Sequence, residues 1–239
     1  MNKYKYHLDQ AYINLLILRK RDNQRDETTG KKGKMAKLHF FYGVMSASKS
    51  AQLGINAYNF SRTENKWEAI KPQTDDRDSK TDIVSRVGIR TKANALKDLQ
   101  NYKPKQNTQF ILVDEVQFFS VEDIKKLVKI ADTTKITIFC YGLKIDSNGN
   151  LFPASAQLLA DADELHCMET VCEIPGCTEM ASHHIRYDNF GRIIRDGNQV
   201  EVGASQYKSV CRKDFYNLYY DKTMNLLQYV RNKKLRREK

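Results

Sequence analysis

The apolar run Leu38-His39-Phe40-Phe41-Tyr42 leads straight into Gly43-Val44-Met45-Ser46-Ala47-Ser48-Lys49-Ser50. The phosphate-loop pattern is Gly, four residues, Gly-Lys, then Ser or Thr, and only the second glycine is missing, replaced by Ser48. The pattern needs consecutive backbone N–H groups aimed at phosphate oxygens, with the positive end of a helix behind them. Gly43, Ser46, Ala47 and Ser48 would form that cradle. Lys49 would reach the outer phosphate oxygens and the Ser50 hydroxyl would hold Mg²⁺. Because Ser48 carries a Cβ, the loop is expected to tolerate it only if its φ is not strongly positive. A strand–turn–helix junction whose small residues merely permit close packing is the reading the motif alone leaves open.

A second apolar run, Phe110-Ile111-Leu112-Val113, ends in Asp114-Glu115. A carboxylate at a strand end is the usual companion of a phosphate loop, where it holds Mg²⁺ directly or through water. Around these two features, Lys49 to about Arg62 reads as a helix and Trp67 to Ile70 as a strand. Val121 to Ala131 reads as an amphipathic helix and Ile136 to Tyr141 as a strand. Short apolar strands alternating with helices predict an α/β fold, a parallel sheet covered on both faces. The expected organisation is an extension at 1–36, a phosphate-loop domain at 37–171, a small β module at 172–222 and a basic tail at 223–239, with Arg212 to Lys239 read as a basic helix or tail.

The chain has 40 Lys and Arg against 29 Asp and Glu, a formal charge of +11. Much of the excess sits in Arg19-Lys20-Arg21, Lys31-Lys32-Gly33-Lys34 and the stretch from Arg231 to Lys239. Basic clusters there read as solvated segments, so a nucleic-acid partner is not expected. No run reaches the roughly 20 apolar residues of a membrane span. The apolar stretch Ala11 to Leu18 is interrupted by Asn14 and followed by basic residues, which reads as a short helix and a cytoplasmic protein. The segment Asp22 to Lys34 reads as a linker. Five cysteines argue against a disulfide framework. Past Cys172 the long apolar runs stop. A module so poor in core needs a staple, and Cys172, Cys177 and Cys211 are candidate metal ligands there.

The ordered landmarks resemble the thymidine kinases of the zinc-containing, tetrameric type. They run from Gly43-Val44-Met45 with Lys49-Ser50, through Lys71-Pro72, Asp75-Asp76-Arg77 and Ser85-Arg86-Val87-Gly88, to Asp114-Glu115-Val116-Gln117-Phe118-Phe119. Tyr141-Gly142-Leu143, Phe152-Pro153-Ala154-Ser155, Val202-Gly203 with Tyr207, and Cys211-Arg212 continue the series. The resemblance implies transfer of phosphate from ATP–Mg²⁺ to thymidine, a homotetramer and a structural Zn²⁺. It implies Glu115 as the base for the nucleoside 5′-hydroxyl, and strand alternation then sets its side chain opposite that of Asp114. Arg77 would stabilise the transferring phosphoryl group, or else pair with Asp75 or Asp78. Met45, Val202 and Tyr207 would contact the nucleoside, although core packing explains Met45 and Tyr207 as well.

Two departures from the family pattern matter besides Ser48. The fourth zinc ligand, a Cys or His in the family, falls on Asp214. His183 or His184 could replace it, and three free thiols without metal are the other possibility. Ser147 stands where an aromatic would touch the base, which bears on nucleoside preference. Two other classes compete with a nucleoside kinase: a catalytically weak nucleotide-binding regulator on the same fold, and a zinc-ribbon nucleic-acid binder with an ATPase core.

Overall fold

The computed structural model describes residues 36–74, 81–195 and 206–235. The short helix expected at Ala11 to Leu18 and the linker after it lie outside these residues, as do Arg77 and Val202.

The apolar runs are continuous because each strand is buried on both faces. In β1 (Leu38–Gly43), Leu38 and Phe40 join one core cluster and Phe41 joins the other. In β6 (Phe110–Val113), Ile111 and Val113 face the first cluster while Phe110 and Leu112 face the second. β7 (Thr137–Leu143) repeats the alternation with Ile138 and Cys140 against Phe139 and Tyr141. A period of two with both faces covered leaves no polar face to show in the sequence.

With β2 (Trp67–Pro72), β5 (Asn94–Leu96) and β8 (Glu164–Met168), these strands form a six-stranded sheet in the order β5-β2-β6-β7-β1-β8. Every pairing in it is parallel. Helix α1 (Lys49–Arg62) lays Leu53, Ala57 and Phe60 on one face. Helices α2 (Val121–Thr133) and α3 (Pro153–Asp161) cover the other with Ile124, Leu127, Ile130, Ala154 and Leu158. The predicted α/β class and the main elements are those observed. Helix α2 opens with a reciprocal cap, the Ser120 hydroxyl accepting from Asp123 N–H while the Asp123 carboxylate accepts from Ser120 N–H.

Two small antiparallel hairpins stand apart from the sheet. One pairs β3 (Asp82–Val84) with β4 (Arg90–Lys92), and the other pairs β9 (His183–Tyr187) with β10 (Gln206–Val210). The second carries its own core with α4 (Arg212–Tyr220) and α5 (Leu226–Leu235), including Ile174, Ile185, Val210, Phe215, Leu218 and Leu226. Of the stretch expected as a basic helix or tail, Leu226–Leu235 is helix α5, and Leu226, Tyr229 and Val230 fix it to the module. No helix among the described residues is long and apolar enough to cross a membrane.

His39 on β1 is 1% exposed, stacks on Phe139 at 4.7 Å and places Nδ1 3.2 Å from His166 Nε2. Burial first, then His166, lowers its pKa from 6.5 to about 3, with Glu164 opposing and Lys37 adding to the shift. Between those values the unfolded chain binds a proton that the folded chain does not, so stability is lost as pH falls below 6.5. His184, lowered by burial to about 4, acts with the same sign. His39→Phe keeps the stacking and should partly flatten the urea midpoint plotted against pH between about 5 and 7. An unchanged slope would assign the acid sensitivity to other groups.

Candidate active site

The carboxyl ends of β1 and β6 meet the two motifs at one edge of the sheet, where an open α/β sheet offers a crevice. Gly43 must be glycine because a Cβ there would lie 2.5 Å from the Met168 carbonyl oxygen. The loop then turns through two left-handed residues, Ser46 at φ 61° and Ser48 at φ 58°. The expectation that Ser48 would avoid a positive φ is thus corrected. The junction that turns the chain into α1 needs a left-handed residue at its N-cap, the conformation that glycine supplies in the motif, and Ser48 adopts it despite its Cβ. An L-residue there costs roughly 1–2 kcal/mol.

Behind the loop, Lys49 is buried and its Nζ donates to the Val44 carbonyl at 2.8 Å, curling over the cradle. Ser50 Oγ donates to Asp114 Oδ2 at 3.0 Å, which ties the start of α1 to the end of β6. The other oxygen, Asp114 Oδ1, is buried without a hydrogen-bond partner among the described residues. Burial first, then the charge of Glu115, pushes the Asp114 carboxyl up to about 7. A buried acceptor in this condition, one residue from a second carboxylate and in contact with a hydroxyl, suits a hard cation with oxygen ligands.

Glu115 was expected on the opposite side of the strand end from Asp114. Both in fact line one cavity, together with Met45, Ser46, Ala47, Ser48, Lys49 and Ser50. Strand β6 stops at Val113, and Glu115 is left-handed at φ 47°, so strand alternation no longer applies. Gln117 holds Glu115 in place, because its Nε2 donates to Glu115 Oε2 while its Oε1 accepts from Leu143 N–H at 2.9 Å. Gly142 leaves room for this brace, since a Cβ there would come within 2.6 Å of Gln117 Oε1. Gln117 stood in the quoted signature, but nothing in its spacing announced that role.

The cavity, about 310 Å³, is also walled by Asp82, Ser85, Arg86 and Leu143. Arg86 Nη1 donates to Ser46 Oγ, joining the β3–β4 hairpin to the phosphate loop. From the other side, Ser209 Oγ on β10 donates to the Met45 carbonyl at 2.7 Å, so the β9–β10 module docks directly on the loop. Tyr207 is the second residue of β10, paired with Arg186, with its ring 6.0 Å from that of His184.

The sulfurs of Cys172, Cys177 and Cys211 and a carboxylate oxygen of Asp214 all lie within 4.8 Å of one another. Neither His183 nor His184 belongs to this group. His183 stacks on Phe215 at 4.4 Å, and His184 is buried. Burial pushes the Cys172 thiol up to about 12 and raises Cys211 too, so these thiols stay protonated unless a cation displaces the protons. Tetrahedral Zn²⁺ sets sulfur–sulfur edges of about 3.8 Å and sulfur–oxygen edges of about 3.6 Å. Cys177 and Cys211 are 3.9 Å apart and Cys172 is 3.4 Å from Asp214 Oδ2. The donor set is therefore compatible with zinc.

The left-handed backbone at Ser48 generates one expectation. Ser48→Gly should stabilise the chain by up to about 1 kcal/mol, the relieved strain less the greater chain entropy of glycine. The readout is a higher denaturant midpoint at unchanged slope. A lower midpoint would mean that the serine side chain contributes more than its backbone costs.

Residues 36–215 match the family model described as thymidine kinase. The chain is 36% identical over 195 residues to a thymidine kinase of Shewanella oneidensis, covering 78% of this chain and 100% of that protein. It is 37% identical over 191 residues to the thymidine kinase of Enterobacteria phage T4, covering 77% and 97%. With the landmarks in order and the phosphate loop facing Asp114 and Glu115, the chain belongs to the thymidine kinase family.

Proposed function

We propose that this protein transfers the γ-phosphoryl group of ATP to the 5′-hydroxyl of thymidine, and of deoxyuridine, giving the nucleoside monophosphate and ADP. The observation that carries the reading is a single cavity that holds the phosphate loop, the Ser50–Asp114 contact and the Glu115 carboxylate. The backbone of Gly43 and Ser46 to Ser48 receives the phosphates, with Lys49 against their outer oxygens. Ser50 and Asp114 hold the Mg²⁺ that accompanies ATP, which neutralises phosphate charge when bound. Glu115, steadied by Gln117, accepts the 5′-hydroxyl proton as the oxygen attacks the γ-phosphorus and the bond to the leaving ADP oxygen breaks. Positioning and charge neutralisation carry most of the rate.

Met45 and Tyr207 stand on the docked loop and module, where they would contact the base. The roles of Val202 on the nucleoside and of Arg77 on the transferring phosphoryl group rest on the resemblance. Cys172, Cys177, Cys211 and Asp214 would hold one structural Zn²⁺ that staples the module. The family likeness further supports a homotetramer in the cytoplasm.

The test is ATP-dependent phosphorylation of thymidine, deoxyuridine, deoxycytidine and deoxyguanosine by the purified chain, repeated with Glu115→Gln. The variant should lose about 10²–10⁴-fold in kcat while ATP binding persists. Full activity in Glu115→Gln would remove Glu115 from the base role. Turnover of none of the four nucleosides by the unaltered protein would leave a nucleotide-binding regulator instead.

A further inference from the structure

Asp214 stands where a thiolate or imidazole would complete the cysteine cluster, and its carboxylate is 0% exposed. Its Oδ1 accepts from Tyr229 Oη at 2.7 Å and from Lys233 Nζ at 2.6 Å. Its Oδ2 accepts from Lys233 Nζ at 2.7 Å and from the Cys172 thiol at 3.4 Å. Tyr229 and Lys233 sit four residues apart on α5 and so share one face of that helix. Both lie beyond residue 215, where the family match ends.

A carboxylate offers about four lone-pair sites. Donors from α5 occupy three, and the Cys172 S–H occupies the last. Oδ2, the oxygen beside the Cys172 sulfur, takes only one of the three α5 contacts, so it is the oxygen with a position to offer a metal. The charge balance points the same way. Zinc with three thiolates and a carboxylate carries two excess negative charges, which is costly in a buried site. The Lys233 ammonium brings the total to a single excess charge, that of a centre with three thiolates and one neutral imidazole.

We infer that Lys233 and Tyr229 are positioning residues of the metal centre, and that the Asp214–Lys233 pair acts as the electrical equivalent of a neutral histidine ligand. This rests on the zinc reading of the cluster. A plain buried ion pair pinning α5 to the module would use the same contacts, so the test must read the metal and not only stability.

The experiment is zinc affinity of the full chain by competition with a chromophoric chelator, together with the absorption spectrum of the Co²⁺-substituted protein. Lys233→Met should weaken zinc about 10–100-fold, as loss of an outer-shell partner does, and shift the Co²⁺ ligand-field bands. Lys233→Arg, which restores the charge, should recover most of the affinity. In an Asp214→His background, Lys233→Met should leave zinc affinity unchanged. If Lys233→Met is too unstable to purify, Tyr229→Phe removes one donor and should show a smaller loss in the same assay. Zinc held equally well, with an unaltered Co²⁺ spectrum, in Lys233→Met or its substitute would overturn this inference alone. Absence of zinc from the unaltered protein would overturn the cluster reading and this inference with it.

Discussion

The hydroxyl of Ser50 resting on the carboxylate of Asp114 is the contact on which the candidate site depends. It exists because β1 and β6 both pair with β7, so their carboxyl ends emerge on the same edge of the sheet. Phe40 and Val113 both pair with Cys140, which levels the two strands. Asp114 follows at once on β6, whereas β1 continues to Gly43 before its loop folds back to bring Ser50 down onto the carboxylate. A slip by one residue in either pairing would turn every side chain of that strand to the wrong face, and the two apolar clusters resist such a slip. The packing of the sheet thus fixes the position of a polar contact to which it contributes no polar atom.

The same edge concentrates the local departures from comfortable backbone. Of the five non-glycine residues with positive φ among those described, Ser46, Ser48 and Glu115 lie at the site. Asp114 adds a carboxyl buried beside a second one. Each is unfavourable for the folded chain alone, and each has a use when a phosphate chain and its cation are present. The left-handed serines turn the loop back around a cradle, and the buried acceptor has an oxygen to give. Strain gathered mostly at one edge, beside a well-filled core, is the pattern of a site maintained by the surrounding fold.

What the sequence made legible follows from range. Strands β1, β6 and β7 were readable because burial on both faces leaves an unbroken apolar mark, and α2 because its apolar residues keep helical spacing, whereas the partly exposed edge strands β5 and β8 leave no such mark. The phosphate loop, Asp114 and Glu115 were readable because they belong to short motifs at strand ends. Two details at those motifs escaped. Ser48 takes the very φ that the missing glycine would have supplied, and Glu115 shares a wall with Asp114 because β6 ends one residue before the pair. The brace from Gln117 to Leu143 escaped because it joins residues 26 apart in sequence, and no local pattern records such a pairing. The stretch after Leu226 reads as a basic helix or tail because its charges cluster from Arg231 to Lys239, while the contacts that dock it are made by Leu226, Tyr229 and Val230.

The β9–β10 module shows how a small core and a polar cluster divide the task of staying folded. Its apolar cluster is smaller than either of those flanking the sheet, and two of its members are the cysteines Cys172 and Cys211. Yet its position is critical, since Ser209 reaches the Met45 carbonyl within the phosphate loop. A loosely held module would loosen the wall of the cavity with it. The Asp214 carboxylate addresses this by joining the N-terminal turn of α4, the thiol of Cys172 and two side chains of α5. Burying an unpaired carboxylate among sulfurs would destabilise the module by several kcal/mol. Lys233 and Tyr229 remove that penalty and make α5 part of the same unit. The terminal helix is therefore coupled, through Asp214 and then β10, to the loop that cradles the phosphates.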